Sequence, residues 1–156
     1  MNEHWSPNIY VYASLSAVVS GLVIAVFVYF RAPESRVAKS FALVTSLGSL
    51  WCLFPTLTSL PVSEQTLLFL ARLSYIPAVF IVSAFLQLAF IITGDDRGPI
   101  RRRLLRVAYG VSFAFAIMSF APGFISGLIR YAPHFAVVGG PLYHFFVVYY
   151  ILACIV

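Results

Sequence analysis

The chain has 156 residues, 62% of them hydrophobic and only 10% charged, whereas soluble domains carry about 25% charged residues. A soluble domain of this size has no way to hide so much apolar surface, so lipid is the solvent the composition implies. The net charge of +5 sits in short connections between long apolar runs and forms no aromatic-interleaved basic stripe, which excludes nucleic acid as a partner.

The expected fold is all-α: a polytopic transmembrane helix bundle of four complete spans and a partial fifth, forming a single domain over residues 1–156. The first uncharged run, residues 8–30, exceeds the ~20 residues that a helix needs to cross a ~30 Å hydrocarbon layer. It is too long for a signal-peptide core, and no basic residue precedes it, so it reads as a retained helix. Ala13, Ala17, Gly21 and Ala25 recur every fourth residue along it. Small residues at that spacing let helix backbones approach closely, either against a neighbour in the same bundle or across a homodimer seam.

The second span, residues 39–58, follows a turn containing Arg31 and Arg36 and opens on Lys39. The third, residues 65–92, has Ser63 as its expected N-cap and Pro77 inside it, where the missing N–H should kink the helix. A polar turn and the basic run Arg101, Arg102, Arg103 precede the fourth span, residues 104–121. Residues 122–141 mix apolar residues with Ser, Gly, Pro, Arg and His, and read as an extended or hairpin-like cap over the outer helix ends. Residues 142–156 give about 22 Å of helix, short of a crossing, so the chain is expected to stop inside its fifth span as a fragment.

Orientation follows from Arg31, Arg36 and Lys39 in the first connection, and from Arg97, Arg101, Arg102, Arg103 and Arg106 in the third. The second connection has no Lys or Arg and the fourth only Arg130, so positive charge places the first and third inside and the amino terminus outside.

Chemistry-bearing residues are few. Arg72 is the one charge well within a span: it either snorkels to the outer surface or meets an anionic ligand. Trp51 and Tyr75 are either interfacial anchors or cavity-lining groups, and His144 is either solvated or a ligand contact. Gln87 is a further polar group at depth. Arg72, Trp51, Tyr75 and His144 are therefore the candidate ligand-binding set. No catalytic residue, cofactor or metal set is expected: the spans hold no carboxylate pair, and Cys52 and Cys154 lie singly in apolar runs. The stretch from Gly123 to Gly127 has Ser126 in the wrong register for a nucleophile elbow.

From Val37 onward the chain resembles the amino-terminal seven-helix membrane domain of bacterial sensor histidine kinases, a module also found ahead of diguanylate cyclase domains. The resemblance lies in Ala38-Lys39-Ser40-Phe41 and Trp51, in Leu70-Ala71-Arg72-Leu73-Ser74-Tyr75-Ile76-Pro77, and in Thr93-Gly94 with the basic run behind it. It continues in Ile125-Ser126-Gly127-Leu128-Ile129-Arg130-Tyr131 and Gly139-Gly140-Pro141-Leu142-Tyr143. It implies a non-catalytic sensory input domain in a bacterial inner membrane, feeding a cytoplasmic output domain of a two-component system. Helices six and seven would be missing. The alternatives are a small transporter or channel fragment, which needs polar groups on facing helix surfaces, and a structural subunit of a membrane complex.

Overall fold

The computed structural model describes residues 9–58, 63–94, 98–131 and 134–155. Five helices and one hairpin follow in order: α1 (Ile9–Arg31), α2 (Arg36–Thr58), α3 (Glu64–Ile92), α4 (Pro99–Met118), β1 (Ile125–Tyr131), β2 (His134–Gly139) and α5 (Pro141–Ile155). α1, α2 and α3 are long and apolar enough to cross a membrane. α4 carries Arg101, Arg102, Arg103 and Arg106 in its first two turns. The helix therefore begins five residues before the expected span at 104. With Pro99 at its first position, where the missing N–H belongs to no helix bond, the helix starts before the arginines.

Local chemistry sets the other boundaries. The Ser35 hydroxyl accepts from the Ala38 N–H at 3.3 Å and opens α2 three residues earlier than expected. Ser63 caps α3 as expected, its side chain accepting from the Thr66 N–H. Past the end of α3, Gly94 takes φ 71°, a left-handed conformation that lets the chain turn away. Pro77 is buried inside α3, and its ring removes the helix hydrogen bond to the Leu73 carbonyl.

α1 packs on α2 and α2 on α3; α3 also packs on α4, α5 and β1. The contact of α1 with α2 is close: a Cβ at Gly21 would collide with the Ser49 side chain. Of the small residues in α1, Ala25 is buried and Gly21 partly so, whereas Ala13 and Ala17 are exposed. The half of that series nearer the turn is thus spent on α2.

Within the stretch expected to be extended or hairpin-like, β1 and β2 form a hairpin. β1 and β2 pair antiparallel from Ile125 opposite Gly139 to Tyr131 opposite His134, with a register shift at Ser126. The Ser126 hydroxyl donates to the Val138 carbonyl at 3.1 Å. At the hairpin's base, the Gly140 N–H donates to the Phe124 carbonyl at 2.8 Å and the Leu142 N–H to the Gly123 carbonyl at 3.1 Å. Only glycine fits at 140, because a Cβ there would strike the Gly123 carbonyl oxygen. The hairpin is thereby tied to the start of α5.

Candidate functional site

Beneath the hairpin base lies an aromatic cluster built from three sources. Tyr75 comes from α3, Phe124 from the turn before β1, and Tyr143 and Phe146 from α5. The Tyr75 ring lies 5.1 Å from Phe124, 5.9 Å from Tyr143 and 5.7 Å from Phe146, centre to centre, each edge-on. Those are favourable geometries, with ring edges directed at ring faces. Phe124 is fully buried, although it follows the helix-ending Pro122-Gly123 in a segment with no regular periodicity. The Phe115 ring continues the cluster inward, 5.8 Å from Phe146 and 5.4 Å from Tyr149.

Tyr149 leads into a cluster of hydroxyl groups. Ser83 of α3 and Ser112 of α4 are both 0% exposed, so each hydroxyl must find a partner inside the protein. Their oxygens are 2.8 Å apart, and the Tyr149 hydroxyl lies 3.2 Å from Ser83 and 3.0 Å from Ser112. Ser112 also donates to the Val79 carbonyl at 2.8 Å, and Tyr149 to the Ala108 carbonyl at 3.3 Å. Each hydroxyl has one proton to give, so three protons serve five contacts. More than one arrangement is therefore open. Tyr149 can donate to Ala108 or to Ser112, and Ser83 can donate to either hydroxyl.

One turn along α3, Gln87 makes the next crossing. Its amide nitrogen donates to Ser40 of α2 at 3.1 Å, and its carbonyl accepts from Tyr109 of α4 at 2.7 Å. Tyr75, Ser83 and Gln87 thus set three successive contact levels along α3, reaching the hairpin, α4 and α5, and α2.

Of the candidate ligand-binding residues, Arg72 and Tyr75 stand one turn apart on α3. Arg72 is half-buried, and its Nε is enclosed without a hydrogen-bond partner. Tyr75 is in the middle of the aromatic cluster. His144 is exposed on α5, next to Tyr143, and Trp51 is 51% exposed on α2 with no ring contact among the described residues. The residues that sequence reasoning missed are Phe124, Phe146, Ser83, Ser112 and Tyr149. A signal for one of them existed: Ser83 lies four residues before Gln87, so α3 carries two polar groups on one face at depth. No group of His, Cys, Asp and Glu suited to a metal occurs among the described residues.

An apolar multi-pass helix bundle whose polar side chains bond helix to helix defines a membrane region, its backbone hydrogen bonds made within the helices. A family model for the N-terminal 7TM region of histidine kinase matches residues 13–156. The chain belongs to that family: it is the membrane sensory region of a histidine kinase, distinct from the kinase's catalytic domain. Searches of curated proteins and of solved structures return no match.

Proposed function

We propose that this region is a non-catalytic input module that senses through a change in how α5 and the hairpin pack on α3. The observation that carries the mechanism is the continuous chain of side chains from Phe124 through Phe146, Phe115 and Tyr149 to Ser83 and Ser112. A rearrangement at the hairpin base reaches α4 and α5 through that chain. The hydroxyl protons can be redistributed there without leaving a buried oxygen unbonded. Two packings of similar energy are what a ligand needs in order to shift a population.

The whole chain acts as one transmembrane domain in this reading. α4 is the fourth span: at 20 residues it is about 30 Å long, and its arginines reach the headgroups from its first two turns. The turns bearing Arg31 and Arg36, and Arg101 to Arg103, face the cytoplasm of a bacterial cell; the amino terminus and hairpin face outward. Arg72, its Nε lacking an acceptor, and Tyr75 are the ligand contacts best supported by position. Trp51 and His144 serve at the periphery. A cytoplasmic output domain receives the signal, and dimerisation uses the exposed Ala13 and Ala17.

The test is autophosphorylation of the kinase carrying this region, with Ser112→Ala and Tyr149→Phe compared with wild type in proteoliposomes. A severalfold change in basal rate is expected from either substitution. Rates equal to wild type would remove the hydroxyl cluster from signalling.

A further inference from the structure

We infer that the turn-proximal end of the α1–α2 pair is a binding site for an anionic phospholipid, which straddles a ridge on α1 with one acyl chain on each side. Two open apolar grooves meet there. One, about 640 Å³, runs along α1 beside Val23 and Phe27 and ends at Arg31. The other, about 370 Å³, lies between α1 and α2, is walled by Leu43 and Ser46, and ends at Lys39. Val26 and Phe30 line both, so they form the ridge between the grooves.

Each groove is apolar along its length and basic at one end, and the two basic ends flank the same tight turn. Arg31 and Lys39 are both exposed and form no ion pair among the described residues. Glu34 is exposed in the turn between them and Arg36, also exposed, opens α2 beside it, so the stretch from Arg31 to Lys39 stays net positive. Two apolar channels converging beneath two cations match a phosphate headgroup with two tails. They do not match a free anion, which has no use for the grooves, or a neutral lipid, which has no use for the cations. Basic residues at a membrane surface each strengthen attraction to anionic lipid by about fivefold. The site is separate from the hydroxyl cluster and does not depend on how that cluster signals.

The test is native mass spectrometry of the chain released from nanodiscs of equal phosphatidylglycerol and phosphatidylcholine, counting retained lipid. Wild type should retain phosphatidylglycerol preferentially, and Arg31→Gln with Lys39→Gln should cut that retention about twentyfold. Arg102→Gln with Arg103→Gln removes the same charge from α4, where neither groove ends, and should cut retention severalfold less than the Arg31 and Lys39 pair does. Phe30→Ser keeps every charge and alters a side chain that is 74% exposed, so folding is not at risk; it should lower retention by removing the ridge. Equal loss from both charge pairs, unchanged retention in Phe30→Ser, or equal retention of the two lipids in wild type would each overturn the proposal.

Discussion

The two halves of this molecule solve the problem of packing in lipid in different ways. In α1 the apolar span is only 6% buried, and its grip on α2 comes from small residues that bring backbones together. In α3 the span is 50% buried, and its neighbours are held by interlocked rings and shared hydroxyls. In lipid the hydrophobic effect gives helices little reason to associate, so close packing and interhelical hydrogen bonds have to supply it. α1 relies on close packing with α2, whereas α3 adds the hydrogen bonds. Backbone proximity gives one preferred geometry. A hydroxyl cluster with more than one proton arrangement leaves room for a second, which is why the moving parts proposed above lie in that half.

The contrast can be broken from either side, and the largest effect is expected at Phe124. Phe124→Ala leaves a cavity where α3, α5 and the hairpin meet and should cost about 3–5 kcal/mol, read as a loss of thermal stability in nanodiscs. A loss no larger than that of an exposed substitution such as Phe113→Ala would mean the cluster does not hold the half together. Gly140→Ala comes next. Its Cβ meets the Gly123 carbonyl, and a shift of the hairpin base should cost about 1–3 kcal/mol, with faster hydrogen exchange at the Leu142 and Gly140 amides.

On the other side, Gly21→Val forces the Ser49 side chain away and should cost about 1–2 kcal/mol. The change should be confined to α1 and α2, leaving exchange in α5 as in wild type. Acceleration throughout the chain would erase the distinction between the halves. The smallest stability effect is expected from Ser112→Ala, about 0.6 kcal/mol and no more than roughly 1.7, as for other hydrogen bonds between membrane helices. Its combination with Tyr149→Phe should be non-additive, since both remove members of one network.

These differences explain what could be read from the sequence. Length and hydropathy suffice for α1, α2 and α3, because a membrane span is a property of a whole segment. The hairpin was legible from broken periodicity between Pro122 and Pro141. Its anchor was not, because Phe124 is one Phe among 15 and only the tertiary fold distinguishes it. The helix of α4 begins before the expected span at 104, since long arginine side chains can reach headgroups from within a helix and charge need not mark a connection. Ser83 and Ser112 are 29 residues apart, and no local pattern announces that they meet. Arg72 and Tyr75 were singled out for being polar within a span, and both lie on the helix that organises this half. Trp51 and His144 were chosen on the same ground and are exposed, since residue type alone does not say which face of a helix looks inward.

The central claim is that the hydroxyl cluster holds α5 to α3 in one of two accessible packings. It is tested most directly by a pulsed electron–electron distance measurement in nanodiscs, with spin labels at the exposed positions Phe85 on α3 and Ile151 on α5. With Tyr149 intact, one dominant distance is expected; Tyr149→Phe should bring up a second, resolved population while helix content is unchanged. An identical single distribution in both proteins would contradict the claim and reduce the cluster to a static fastening.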